Sequence, residues 1–217
     1  MTAIEMASRA REQLLEAALI ALGEDGREGL DAARLAARAG VAEAELTAAF
    51  TDLDACLDAA YAQLTARLAG VVRTGCERGR AGADGGAPAA RWTAGVRGGL
   101  EALLAALATD PAQAVALVRS YPALGAAQRG RYEAFLAEFT PLLAEGRRLA
   151  ATHGAELPEE IELLAVGAAE AITFEAVETG QAAALPEMAP AILFSLLVPF
   201  IGATAAAAEM EKAERGR

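Results

Sequence analysis

Residues 31–50 read Asp-Ala-Ala-Arg-Leu-Ala-Ala-Arg-Ala-Gly-Val-Ala-Glu-Ala-Glu-Leu-Thr-Ala-Ala-Phe. Asp31 to Arg38 reads as a short helix, in which Ala, Arg and Leu favour the helical state. Gly40 ends that helix, because glycine takes a positive φ at little steric cost. A second short helix follows from Glu43 to Phe50. The three-residue turn Ala39-Gly40-Val41 between two short helices is helix-turn-helix spacing, with Val41 as the apolar plug under the turn. Leu14, Ala18, Leu35, Val41, Leu46 and Phe50 then form the core of a small N-terminal head.

The pattern stays helical on either side of this stretch. Leu14, Ala18 and Leu22 repeat at i, i+4 and i+8 in a helix over Ala7 to Leu22, which Gly23, Gly26 and Gly29 interrupt. Thr51 and Asp52 offer N-caps for a long helix from Leu53 to Arg78. Four glycines and a proline over Gly79 to Pro88 predict a loop. Ala89 to Ala108 is helical, and Asp110-Pro111 opens another helix that Tyr121-Pro122 stops. A long pattern from Leu124 to His153 carries Pro141 as a kink. Glu159–Thr179 and Pro186–Ala208 are apolar on nearly every side, so each is buried all round or covered by a second subunit. No run reads as a strand, and the fold class is all-α.

Composition narrows the function. The 217 residues hold 59 alanines but only 5 % aromatics, which disfavours a β-sandwich. The net charge of −11 excludes a non-specific polyanion binder. Two widely spaced cysteines, Cys56 and Cys76, point to a reducing compartment, and with no signal peptide the expected location is the cytoplasm. Ala191 to Ala208 carries no charge, yet Pro199, Gly202 and its alanine tail favour a buried helix over a membrane span. One histidine and two distant cysteines make no metal cluster, no cofactor motif is present, and no catalytic motif stands out.

Residues 9–61 resemble the TetR family of bacterial one-component repressors. The likeness rests on Leu15, Ala17-Ala18, Gly26, Leu35-Ala36, Ala39-Gly40-Val41, Leu46, Phe50 and Leu57. It extends in style to Trp92 with Gly95-Val96-Arg97, Thr109-Asp110-Pro111-Ala112, Glu145-Gly146-Arg147 and Leu185-Pro186 through Gly202. The resemblance implies about nine helices, a DNA-binding head over 1–52 and an effector-binding and dimerisation domain over 53–217. It implies a homodimer built on the last two long helices, for which Val166, Thr173, Val177, Leu193, Leu197, Phe200 and Ile201 are candidates. Projected onto this chain, the family's effector pocket draws on Leu68, Trp92, Val96, Leu100, Tyr132, Phe135, Phe139, Glu170 and Phe174. Such a lining suits a small hydrophobic or aromatic ligand. Glu170, Phe174 and Glu178 share one helix face, with Arg119, Arg131 and Arg147 as possible ion-pair partners. A double-stranded DNA operator is the implied partner of the head, with Arg27, Arg34, Thr47 and Ala48 nearest to it.

The head departs from the family pattern in its charge. Ala42 stands where a hydroxyl N-cap is usual, Glu43 where a basic or small polar residue is usual, Thr47 where a tyrosine is usual and Leu53 where a lysine is usual. Residues 1–66 hold five arginines and twelve acids, for −7, whereas the remainder holds fourteen cations and eighteen acids, for −4. Affinity for duplex DNA comes largely from cations on phosphates. The alternative to a repressor is therefore a protein of the same fold that has lost DNA binding. Its pocket would then serve as a small-molecule binding site or as a recruited biosynthetic enzyme.

Overall fold

A computed structural model describes residues 2–123, 126–151 and 156–215. These form ten α-helices and one 3-10 turn, with no strand among the described residues: α1 (Ala3–Asp25), α2 (Ala32–Ala39), α3 (Glu43–Ala49), α4 (Leu53–Gly82), α5 (Pro88–Thr109), α6 (Pro111–Ala123), α7 (Ala126–Ala137), α8 (Thr140–Ala151), α9 (Ile161–Glu178), the turn Ala182–Ala184, and α10 (Leu185–Arg215). The chain packs as two units. One comprises residues 1–66 and 110–132, the other residues 67–109 and 133–217. The helix α4 contributes to both.

The helix ends follow local chemistry. Thr2 and Glu5 make a reciprocal capping box at α1, with Thr2 N donating to Glu5 Oε2 at 2.6 Å and Glu5 N to Thr2 Oγ1 at 3.2 Å. The carboxylates of Asp52 and Asp110 accept from Ala55 N and Gln113 N, capping α4 and α6 as the sequence predicts, and Asp31, expected as the first residue of α2, instead caps it by accepting from Arg34 N. Gly40 adopts φ 68° and ends α2 in the left-handed region.

In the first unit, α1 packs along α6 and against α2 and α3. Leu14, Ala18, Leu35, Leu46 and Phe50 are buried there, while Val41 is only half-buried. Gly23 lets α1 approach the α6 backbone, since a Cβ there would sit 2.8 Å from Ala112 O. Tyr61 is fully buried and its hydroxyl donates to Leu117 O at 3.4 Å. Cys56 is also buried, which pushes its thiol up to about 11 and leaves little nucleophilic thiolate at neutral pH.

In the second unit, α5 is buried continuously from Trp92 to Val96 and packs on α8 and α10. Several expectations are corrected here. The glycine-rich stretch is not a loop from residue 79, because α4 continues through Gly79 to Gly82. A Cβ on Gly79 would lie 2.1 Å from Ala94 O, and one on Gly75 2.4 Å from Gly98 O. These glycines let the backbones of α4 and α5 touch. The pattern before Pro141 is likewise not one kinked helix. It breaks at Glu138-Phe139, and Pro141 falls in the first turn of α8, where its missing N–H costs no helical bond. Tyr121-Pro122 does not stop α6, which runs to Ala123. His153 lies outside the described residues.

The final helix α10 breaks at Gly202, whose φ of 76° and ψ of 162° are not helical. By length and composition, Ala182–Arg215 is apolar enough to cross a membrane. Leu185 to Ile201, however, spans only about 25 Å at 1.5 Å per residue, short of the roughly 30 Å of a bilayer core. Ile192, Leu193, Leu196, Leu197 and Phe200 on that segment are buried within the second unit. That burial favours a protein core over lipid.

Arg147 organises the approach to α9. Its guanidinium is bidentate on Glu162, with Nε to Oε1 at 2.7 Å and Nη2 to Oε2 at 2.6 Å, and it also donates to the carbonyls of Leu157, Pro158 and Glu159. The expected pairing of Arg147 with the later α9 glutamates is thus replaced by Glu162, in the first turn of the helix. The arginine holds the Glu162 carboxyl below its ordinary value of 4.5. A carboxyl depressed in the folded state stabilises above its unfolded pKa, and that gain is lost as pH falls through the depressed value. Glu162→Gln is therefore expected to destabilise the chain at pH 7 and to leave its stability less sensitive to acid below pH about 4.5. Urea titrations at pH 7 and pH 3.5 would read the difference, and parallel losses for both proteins would exclude this role.

Candidate functional site

The helix-turn-helix presents one face of α3. Leu46 is buried against the head, while Glu43, Ala44, Thr47 and Ala48 are exposed. Positions i, i+1, i+4 and i+5 fall within one arc of a helix. Ala42 supplies no side-chain cap, so the helix start depends on Glu45, whose carboxylate accepts from Ala42 N at 2.8 Å. The Thr47 hydroxyl donates inward to Ala44 O at 3.0 Å.

The arginines around this face divide into engaged and available groups. Arg27 donates to Asp54 Oδ1 through Nε at 2.8 Å and to Leu30 O at 3.2 Å. Arg38 bridges Glu24 and Asp25. The charges of these two arginines are already matched within the head. Arg34 is more accessible, with a side chain 71 % exposed. It donates to Gly29 O at 2.9 Å, and Asp31 lies 3.9 Å away. Arg11 places its guanidinium carbon 5.0 Å from the Phe50 ring centroid, directly after α3. Neither Arg9 nor Arg11 has an acidic partner among the described residues. Of the positions expected at DNA, Arg34, Thr47 and Ala48 are accessible, and Arg27 is tied down by Asp54. The sequence allows Arg11 to share one face with Arg9, Arg27, Arg34 and Thr47, and its stacking on Phe50 emerges only in three dimensions.

The residues expected around an effector differ in exposure. Leu68, Trp92, Val96, Leu100 and Phe135 are buried in the second unit, and Phe139, Glu170 and Phe174 are half-buried there. Tyr132 is buried at the end of the first unit. Trp92 is fully enclosed. Its Nε1 donates to Leu142 O at 2.9 Å, and its ring meets Phe200 edge-on at 5.6 Å. Gly146 makes room for it, since a Cβ there would lie 2.4 Å from the indole. Phe135 and Phe139 form a second edge-on pair at 4.9 Å. A groove of about 500 Å³ lies elsewhere in this unit, over the glycine crossing of α4 and α5, with Arg78, Arg97 and Glu101 on its walls.

The expected interface residues divide by exposure within one chain. Val166, Val177, Leu193, Leu197 and Phe200 are buried in the second unit, and Thr173 and Ile201 are half-buried. The outward face of α9 is different: Leu164, Ala168, Ala171 and Glu175, flanked by Leu163 and Ile172. There Leu163 is 56 %, Leu164 60 % and Ile172 37 % exposed.

This all-helical arrangement, with a helix-turn-helix near its N-terminus, is a fold found in bacterial transcriptional regulators. The chain is similar to the fatty acid degradation regulator FadR from Bacillus halodurans, at 15 % identity and TM-score 0.71, over 89 % of this chain and 97 % of that one. It is also similar to a protein of Pseudomonas aeruginosa PAO1 described as a transcriptional regulator, at 20 % identity and TM-score 0.60, over 95 % of this chain and 88 % of that one. No protein-family model matches the sequence, and no curated protein matches it.

Proposed function

We propose that the chain is a cytoplasmic, homodimeric transcriptional repressor of the TetR type that leaves its DNA operator when a small, mostly apolar effector binds. The observation that carries this reading is the outward face of α3 on a helix-turn-helix, within a fold shared along most of its length with solved regulators. Residues 1–52 act as the head and 53–217 as the effector and dimerisation part. The effector acts on α4, a continuous helix from Leu53 to Gly82. It need only bind a conformation whose two heads no longer match half-sites about 34 Å apart.

Dimerisation is assigned to the outward face of α9, because an apolar helix face left open in one chain is a burden unless a second copy covers it. Leu164→Arg is expected to convert the dimer to a folded monomer by sedimentation velocity, since Leu164 makes little core contact in a single chain. A dimer that persists would place the interface elsewhere.

The reading is tested by gel shift of the purified protein against DNA fragments flanking its own gene. Selective retention at nanomolar protein supports a repressor. Absence of any selective complex at low salt would overturn it and favour the pocket-protein alternative, which the ion-paired state of Arg27 and Arg38 supports.

A further inference from the structure

The side chains on the exposed face of α3 restrict which bases it can read. Four of them point outward: Glu43, Ala44, Thr47 and Ala48. None offers a free hydrogen-bond donor. Thr47 has directed its hydroxyl proton to Ala44 O, which leaves its methyl and oxygen lone pairs outward. Glu45 is occupied by the Ala42 amide, so Glu43 is the one carboxylate on this face with no partner among the described residues. Guanine shows two acceptors, N7 and O6, in the major groove, and a donor-free surface has nothing to give them. Cytosine shows the N4 amino donor, which a carboxylate accepts. Adenine also shows an amino group, but its N7 acceptor lies beside it and repels a carboxylate, whereas the neighbour of cytosine N4 is a C–H. The methyl groups of Ala44, Thr47 and Ala48 suit the thymine C5-methyl.

We propose that the half-site read by α3 is a pyrimidine-rich strand, with a cytosine specified by Glu43 next to thymines that pack on Ala44, Thr47 and Ala48. This rests on the DNA-binding reading above and deepens it. It assigns α3 a readout role without arginine, lysine, asparagine or glutamine, and leaves affinity to the phosphate contacts of the surrounding arginines.

The test is selection of bound duplexes from a randomised library by the full-length dimer, wild type and two variants. The wild type is expected to enrich a half-site with one fixed cytosine beside thymines. Glu43→Gln is expected to move that single position from cytosine to adenine, because an amide can bond N6 and N7 together. Glu43→Ala is expected to relax it, with about tenfold lost preference for cytosine and the neighbouring positions unchanged. Both variants lie at an exposed site, and circular dichroism checks that each folds. Enrichment of a half-site with no fixed C·G pair, or a consensus unmoved by both variants, would overturn the proposal while leaving DNA binding intact. Enrichment of no sequence by the wild type would overturn the DNA-binding reading, and this one with it.

Discussion

Trp92→Ala is expected to cost about 3–5 kcal/mol of folding stability. The side chain is fully buried, packs edge-on against Phe200 and sits in the space left by Gly146. Truncation removes the indole contacts and the hydrogen bond from Nε1 to Leu142 O. In a chain of this length such a loss lowers the thermal midpoint by roughly 6–20 °C. Thermal unfolding followed by circular dichroism reads it directly. A loss below about 1 kcal/mol would mean that the indole borders open space rather than closing a core. In that case Trp92 would regain its standing as an effector-pocket wall.

The second large effect is electrostatic. Arg11→Glu combined with Arg34→Glu reverses four charges in a dimer at the accessible arginines beside α3. Operator affinity is expected to fall by at least about a hundredfold, because cations on phosphates supply much of the binding free energy. The fold is expected to tolerate the changes. Both side chains are exposed, and a glutamate at position 34 sits three residues after the N-cap Asp31, where a capping box favours it. Arg27→Glu makes a contrasting control. It breaks the pair with Asp54 within the head, so it shows as lost stability.

The head was legible from the sequence because its signals are local. Gly40 ends α2 and Asp52 caps α4 where the spacing predicts, and Asp31 departs by a single residue, capping α2 rather than opening it. The departures arise where tertiary contact decides. Gly75 and Gly79 resemble helix breakers, but their role is to admit the backbone of α5, and nothing local distinguishes close approach from flexibility. Pro141 marks a boundary in either reading; whether it kinks a helix or starts one depends on the turn at Glu138-Phe139 before it. Uniformly apolar α9 and α10 have no polar face to orient them. The sequence therefore showed that they pack, but the face each turns outward emerged only in three dimensions. Leu193 and Leu197 faced the protomer core, and Leu164 faced out. The same limit applies to charge. A net of −7 in residues 1–66 describes the head as a sum, whereas binding depends on which arginines remain unmatched, and that required the pairs of Arg27 and Arg38 to be seen.

The central claim is that this acidic head still binds DNA through a few accessible arginines. Fluorescence anisotropy of the dimer on its selected duplex, across a salt series, tests it most directly. Arg9, Arg11 and Arg34 from each subunit make six phosphate contacts available, which predicts a slope of log K against log salt of about −5. Reversal of Arg11 and Arg34 is expected to bring that slope to about −2. A flat salt dependence, or no binding at low salt, would contradict the account.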